Sequence, residues 1–245
     1  MNLRIAGLLA LFVALPQATA DDGEDPAMRT IRALYARVQR DENAPNKPII
    51  GVFLQVTRAT DADIKKLQSL KHLRKLNFSK HNTDAAIKEL LAFKELRELS
   101  LSGTKVSDAG MKDLARLTQL RVLHMTSTLI SDVGLKDLSH LKEIEELHLS
   151  RTKTTDLGIK ELAGFKKLKK LDIGELNVTN ASLRTIATLG DIEELRLCDT
   201  KVTDEGLAPL AALKKLKSLD LGGTGVTAAG VRELQKKLPN CLIDN

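Results

Sequence analysis

Two stretches of the chain decide its fold: residues 96–110 read LRELSLSGTKVSDAG, and residues 192–206 read IEELRLCDTKVTDEG. Both begin with the pattern LxxLxL, in which L is an apolar residue, most often Leu or Ile, and x is any residue. The pattern starts at nine places, the last of them degenerate: Ile49, Leu73, Leu96, Leu120, Ile144, Leu168, Ile192, Leu216 and Leu238. The successive spacings are 24, 23, 24, 24, 24, 24, 24 and 22 residues. A period this regular identifies a repeat protein.

Each repeat predicts a short strand followed by a short helix. Apolar residues alternate at Leu147 and Leu149, whereas Leu135, Leu138 and Leu141 recur with helical spacing. One strand and one helix of this size cannot bury an apolar face alone, so the repeats must stack. We therefore predict an α/β solenoid, a horseshoe with a parallel sheet on its concave face and short helices on its convex face.

The quoted units resemble the leucine-rich-repeat superfamily, in a short bacterial-type variant, over residues 49–245. The resemblance implies a horseshoe and, most often, protein recognition on its concave face, but it names no partner.

Two polar positions of the repeat carry structural predictions. The position that is commonly Asn or Cys in the family is Thr in five repeats: Thr104, Thr128, Thr152, Thr200 and Thr224. We expect these hydroxyls to bond neighbouring backbone groups along the stack, with slightly irregular turns where His81 and Leu176 interrupt the column. An Asp follows the turn in four repeats: Asp108, Asp132, Asp156 and Asp204. We expect each Asp to cap its own helix by accepting backbone N–H bonds.

The two ends of the chain differ from the array. Residues 1–20 read as a signal peptide, with Arg4, an apolar run over 5–16 and a small-x-small cleavage site at 18–20. The apolar run is shorter than the roughly 20 residues that span a bilayer, so we predict a secreted or periplasmic protein, with an uncleaved tether as the alternative. The resemblance to leucine-rich-repeat proteins implies a bacterial envelope origin, because the Cys-rich flanks of many animal and plant relatives are missing.

Residues 21–48 are predicted to be an N-terminal helical cap and linker. The helix is expected over residues 26–42, because apolar residues recur there with helical spacing. These residues are Met28, Ile31, Leu34, Tyr35 and Val38. Residues 238–245 are expected to form a last short strand. Cys198 and Cys241 are predicted to be free thiols on different faces.

The composition narrows the function. Hydrophobic residues make up 42% of the chain, which argues for a folded domain, and aromatic residues only 2%. The net charge of +6 is mild and the acids are interleaved with the bases, which argues against nucleic-acid binding. We predict a monomeric, non-catalytic protein-binding module without a cofactor.

The candidate site is the column of residues that lie between the last two apolar positions of each strand. On a pleated strand these residues point to the concave side. The column comprises Phe53, Asn77, Ser100, His124, His148, Asp172, Arg196 and Asp220. The predicted partner-binding residues are His124, His148, Arg151, Asp172, Glu175, Arg196 and Asp199. A solvated polar rim is the alternative interpretation of the same residues.

Two chemical interpretations of this column are weaker. His124, His148 and Asp172 could offer a transition metal two imidazoles and a carboxylate, but the sequence indicates no second shell. Ser100 with a His and an Asp could form a hydrolytic set, but an open strand column supplies no oxyanion hole. We therefore predict neither a metal site nor catalytic residues.

The alternative function is binding of an anionic or polysaccharide envelope polymer through the convex or side face. A basic column follows the predicted helices: Lys65, Lys88, Lys112, Lys136, Lys160, Arg184 and Arg232. An acidic column lies beside it: Glu89, Asp113, Asp137, Glu161 and Glu233. Two such columns largely neutralise each other, which favours a soluble outer face over a polymer site.

Overall fold

The computed structural model describes residues 25–245, and the predicted signal peptide lies outside the described residues. The strands are β1 (Arg37–Arg40), β2 (Ile49–Phe53), β3 (Lys75–Asn77), β4 (Glu98–Ser100), β5 (Val122–His124), β6 (Glu146–His148), β7 (Lys170–Asp172), β8 (Glu194–Arg196), β9 (Ser218–Asp220) and β10 (Leu242–Asp244). The α-helices are α1 (Pro26–Ala33), α2 (Asp61–Lys66), α3 (Asp84–Glu89), α4 (Met111–Leu114), α5 (Asp132–Leu138), α6 (Asp156–Glu161), α7 (Asn180–Ile186) and α8 (Ala228–Lys237). Short 3₁₀ turns cover Leu67–Ser69, Leu90–Ala92, Asp108–Gly110, Leu162–Gly164, Asp204–Gly206 and Ala208–Ala212.

The strands form one sheet whose order follows the chain from β1 to β10. From β2 onward every neighbouring pair is parallel. Equivalent residues of successive repeats lie side by side, so Leu123 pairs with Leu147 and Leu147 with Leu171. These three leucines are each 1% exposed. The predicted α/β leucine-rich-repeat solenoid is confirmed.

The N-terminal segment differs from the predicted helix over 26–42. Helix α1 ends at Ala33, and Tyr35 has a left-handed φ of 51°. The N–H of Ala36 then donates to the carbonyl of Ile31 over 2.9 Å, a bond typical of a helix that ends in a left-handed residue. Val38 lies in β1, which pairs antiparallel with β2 and covers the edge that β2 would otherwise expose. The helix prediction is therefore correct only for its first half.

The threonine column bonds within its own turn instead of along the stack. The Thr104 hydroxyl donates to the carbonyl of Leu101 over 2.6 Å, and Thr128 and Thr200 repeat the same bond three residues back. Where His81 interrupts the column, the Ser79 hydroxyl instead crosses to the carbonyl of Thr57 in the preceding repeat, over 3.0 Å. The expectation of bonds along the stack is thus wrong for these threonines, because each hydroxyl bonds the carbonyl three residues back in its own turn.

The aspartates join neighbouring repeats, and the predicted caps of their own helices are wrong. Before Asp108, Asp132 and Asp156 the cap is instead the preceding Ser or Thr: the Ser131 hydroxyl, for example, accepts from the N–H of Val133. Thr203, before Asp204, makes no such bond. Asp132 reaches the following repeat, where Oδ1 accepts from the N–H of Thr155 over 2.7 Å and Oδ2 from its hydroxyl over 2.8 Å.

The same pair of bonds recurs at six of seven junctions between repeats, and Asn180 replaces the Asp at the remaining one, where its amide donates to the Thr203 hydroxyl. We call the series the aspartate ladder. Its rungs are Asp61–Thr83, Asp84–Ser107, Asp108–Ser131, Asp132–Thr155, Asp156–Thr179, Asn180–Thr203 and Asp204–Thr227. Each rung fixes a helix start to the preceding helix, so the ladder holds the convex layer in register.

The ladder explains the glycine two positions after most of its aspartates. A Cβ at Gly158 would collide with Oδ1 of Asp132 and lie 3.1 Å from the Asp132 Cα. The repeat that carries Asn180 and Ser182 keeps the ladder by other bonds. The Ser182 hydroxyl donates to Asp156, and the Asn180 amide donates to the Thr203 hydroxyl over 2.8 Å. These two substitutions therefore preserve the contacts between repeats.

Candidate functional site

The predicted concave column lies on adjacent strands in the predicted order. Ser100 pairs with His124, His124 with His148, His148 with Asp172, and Asp172 with Arg196. Parallel strands in this register fix the spacing of the side chains, so the face is a preformed polar surface.

Two histidines and one glutamate form a cluster at the middle of this face. The Nε2 atoms of His124 and His148 each lie 3.0 Å from Oε1 of Glu146. The two imidazole rings stack with centroids 4.2 Å apart and an interplanar angle of 31°. All three side chains are between 25% and 33% exposed, so the cluster is open to the concave side.

The environment of His148 favours its neutral form. Burial lowers the pKa of His148, and a charged His124 beside it would lower the pKa further. The carboxylates of Asp172 and Glu146 act in the opposite direction but do not outweigh these effects.

Asp172 is the buried member of the column. Its side chain is 9% exposed, and its Oδ1 accepts from the Ser150 hydroxyl over 2.5 Å and from the N–H of Gly174 over 3.1 Å. Its Oδ2 lies 3.8 Å from Nδ1 of His148 and 3.4 Å from Nη1 of Arg196. Asp172 therefore acts mainly on the positions of His148 and Arg196, and only a small part of its side chain is exposed to a partner.

Arg196 lies between two carboxylates. Besides Asp172, it reaches Asp220, whose Oδ2 is 3.2 Å from its Nε. The bond to Asp220 and the charge of Asp172 raise the pKa of Arg196. The guanidinium remains 55% exposed, so it is held in place and still accessible to a partner.

Arg151, Glu175 and Asp199 form a rim just beyond the strands. The Nε of Arg151 donates to both carboxylate oxygens of Glu175 over 2.8 Å. The three residues have left-handed φ values of 57°, 56° and 56°, as does Ser127 in the repeat before them, at 56°. The repeats on either side have Gly103 and Gly223 at this position, with φ of 72° and 70°.

The structure thus brings His124, His148, Asp172 and Arg196 together, with Arg151, Glu175 and Asp199 along the adjacent rim. Sequence reasoning missed Glu146, although it lies two residues before His148 and so shares its face of the strand. It also missed Asp220 as a partner of Arg196 and the backbone conformation of the rim.

Other candidates stay apart from this site. Ser100 lies beside His124 on the neighbouring strand. Among the hydrogen bonds of residues 25–245, none joins these two side chains. Cys198 and Cys241 are free, and burial raises the pKa of both thiols. On the convex side every residue of the basic column is exposed. In the neighbouring acidic column, Glu233 pairs with Lys236 over 2.6 Å.

Comparisons with known proteins agree with the repeat fold. The family model described as Leucine Rich repeat matches residues 95–115 and 212–234. The structure is similar to that of internalin C2 from Listeria monocytogenes, with 27% identity, a TM-score of 0.64 and coverage of 80% of each chain. No curated protein sequence matches the chain.

Two further solved structures share the fold. An internalin, inlF, from Listeria monocytogenes has 18% identity and a TM-score of 0.57, with 74% of this chain and 56% of that chain covered. A leucine-rich-repeat protein from Leptospira interrogans has 24% identity and a TM-score of 0.57, with 74% of this chain and 45% of that chain covered.

The protein belongs to the leucine-rich-repeat superfamily. Its repeat fold is that of a protein-interaction module. Across residues 25–245, no helix combines the length and the apolar character that crossing a membrane requires.

Proposed function

We propose that the protein is a non-catalytic protein-binding module of the bacterial cell envelope or exterior, and that it recognises a partner protein through the concave face and its rim. The recognition surface comprises His124, His148, Arg151, Asp172, Glu175, Arg196 and Asp199. The export part of this proposal comes from the predicted signal peptide over residues 1–20.

The observation that carries the proposal is the left-handed backbone of the rim. A non-glycine residue in this conformation costs about 1–2 kcal/mol, which glycine avoids. Gly103 and Gly223 show that this turn accepts glycine. The chain nevertheless places Arg151, Glu175 and Asp199 there, in three successive repeats. Strained positions with exposed, charged side chains are typical of functional surfaces.

The charges of the surface predict the kind of interaction. Arg151 is 62% exposed and Arg196 55%, and arginine is enriched among the residues that dominate binding energies. Each is already paired with a carboxylate, so a partner must present charges that complement both signs. Aromatic side chains are scarce in the chain. We therefore expect a polar interaction that weakens as salt increases.

The test is affinity capture from native envelope extract with three forms of the protein. The first is wild type and the second is the concave variant Arg151→Glu, Arg196→Glu. The third is a matched convex control, Lys112→Glu, Lys136→Glu, which changes the net charge equally on the opposite face. Thermal unfolding of each form shows whether the fold is intact, and Arg151→Glu alone serves if the double variant is unstable.

The proposal predicts that wild type and the convex control both capture the same protein, and that the concave variant does not capture it. With that protein purified, the concave variant should bind at least tenfold more weakly, which corresponds to about 1.4 kcal/mol. Equal capture by all three forms would contradict a concave site, and absence of any captured protein would contradict the proposed function. Retention of wild type on cell-wall material, lost only in the convex variant, would instead establish the polymer-binding alternative.

A further inference from the structure

We propose that His124, Glu146 and His148 form a binding site for a single transition-metal ion of the Zn²⁺ class. The site shares His124 and His148 with the recognition surface proposed above, but it needs no protein partner, so a metal titration tests it separately. It also uses a different carboxylate from the one that the sequence indicated, since Glu146 replaces Asp172 as the oxygen ligand.

The first argument is convergence. A ligand atom from each of the three side chains lies within 4.8 Å of the other two. Tetrahedral coordination at the usual Zn–N and Zn–O lengths places ligand atoms about 3.3 Å from one another. The observed separation of 3.0 Å between each imidazole Nε2 and Oε1 of Glu146 is therefore within a few tenths of an ångström of the spacing that a bound ion requires.

The second argument is rigidity. His124 and His148 are paired residues on the neighbouring strands β5 and β6, and Glu146 lies on β6 two residues from His148. The two rings also stack on each other, 4.2 Å apart. The backbone thus holds the ligands before any ion binds, and binding needs only small side-chain rotations.

The third argument is a second shell. Metal-bound histidines generally donate their other ring N–H to a carboxylate, which fixes the tautomer and leaves the opposite nitrogen free for the ion. For His148 the candidate is Asp172, whose Oδ2 lies 3.8 Å from Nδ1, so a small rotation of the ring is needed to bring the pair within hydrogen-bond distance. Ser150 and Gly174 hold the other oxygen of Asp172, so this carboxylate is fixed before an ion binds.

The donor set defines the class of ion. Two imidazoles and one carboxylate suit Zn²⁺, Ni²⁺ or Cu²⁺, whereas Mg²⁺ and Ca²⁺ prefer oxygen ligands alone. Three protein ligands leave at least one coordination position open. Because the cluster is partly exposed on the concave face, that position points to solvent and can be filled by water or by a ligand from another molecule.

The test is isothermal titration of the tag-free protein with ZnCl₂, with MgCl₂ as the comparison ion. We expect one Zn²⁺ per chain with micromolar affinity and no heat with Mg²⁺. His148→Ala should abolish binding and Glu146→Gln should weaken it at least tenfold. The matched control is His140→Ala, which removes an exposed histidine outside the cluster and should leave binding unchanged.

A second measurement keeps the test decisive if a substitution alters the fold. Co²⁺ replaces Zn²⁺ in such sites, and its visible absorption should become much stronger than that of the six-coordinate aqueous ion, as a four-coordinate site requires, in wild type and the His140→Ala variant. Absence of heat at a tenfold excess of Zn²⁺ would overturn the proposal. So would binding that persists unchanged in a folded His124→Ala, His148→Ala variant, because the ions would then bind elsewhere.

Discussion

Removal of one rung of the aspartate ladder tests the account of how the repeats hold together. The change is Asp132→Ala, compared with Asp132→Asn. The carboxylate accepts three hydrogen bonds from the next repeat: two from Thr155 and one from the N–H of Gly158 over 2.9 Å. Alanine removes all three bonds, whereas asparagine can keep the arrangement that Asn180 makes with Thr203.

The size of the effect follows from these contacts. A hydrogen bond to a charged group contributes about 1.5–3 kcal/mol, and a neutral bond about 1 kcal/mol. The rung is only partly buried, so water replaces some of what is lost. We therefore expect Asp132→Ala to lower the free energy of unfolding by about 2–4 kcal/mol, and Asp132→Asn by about 1 kcal/mol.

The assay is urea unfolding followed by far-UV circular dichroism, with Asp137→Ala as the matched control on the same helix. That control should change stability by less than about 0.5 kcal/mol, because it removes an ordinary surface residue. The reasoning is refuted if Asp132→Ala is as stable as the control. It is equally refuted if asparagine costs as much as alanine, since the bonds to Thr155 would then not be what the carboxylate supplies.

Three further predictions concern the start of helix α6, the rim and the histidine cluster. Gly158→Ala should destabilise the fold by about 1–3 kcal/mol, because the new Cβ would overlap Asp132 of the preceding repeat. Gly190→Ala would place its Cβ more than 4 Å from any neighbouring atom and should be neutral in the same urea assay. Glu175→Gly should leave the thermal midpoint unchanged or raised, because glycine relieves the left-handed backbone while an exposed ion pair contributes little; a clear loss of stability would contradict the strain argument. Burial and His124 lower the pKa of His148 in the folded protein below its unfolded value of about 6.5. As the pH falls through about 6.5, His148 is therefore protonated first in the unfolded chain, and the free energy of unfolding decreases. His148→Gln should therefore flatten the fall in unfolding free energy between neutral and mildly acidic pH, and an unchanged slope would exclude this role.

The repeat period alone was sufficient to predict most of the fold. A spacing of 24 residues and the change from alternating to helical apolar spacing define one strand and one helix per repeat, and stacking then dictates the parallel register. The N-terminal cap could not be predicted as well. The apolar spacing across Tyr35 and Val38 continues the helical pattern, yet Tyr35 adopts a left-handed conformation and the chain then joins the sheet.

The aspartate prediction failed for a related reason. An Asp at a helix start ordinarily caps that helix, and only the stacked structure shows that Thr155 of the next repeat is the nearer donor to Asp132. Local patterns describe bonds within one repeat, whereas these bonds cross between repeats.

The site was predictable in position but not in detail. Alternation along a strand places His124, His148 and Arg196 on one face, and the period places them side by side. The contact between Glu146 and both histidines depends on side-chain rotamers, which no periodicity specifies. The left-handed backbone at Arg151 is equally invisible, since arginine gives no sign of the conformation that glycine would reveal.

The first and last rungs of the aspartate ladder differ from the rungs between them. Thr60 precedes the first rung, receives no carboxylate from an earlier unit within residues 25–245, and bonds to Asp63 in its own helix instead. After the last rung, the residue that would carry the next carboxylate is Ala228. Each internal repeat carries an Asp or Asn that accepts hydrogen bonds from the next repeat, and a Ser or Thr that donates hydrogen bonds to the Asp or Asn of the previous repeat. Duplicating or deleting one such repeat therefore leaves no Asp, Asn, Ser or Thr of the ladder without its partner. The terminal units lack one half of that match, so we expect the fold to tolerate insertion or deletion of a whole repeat inside the array better than at its ends.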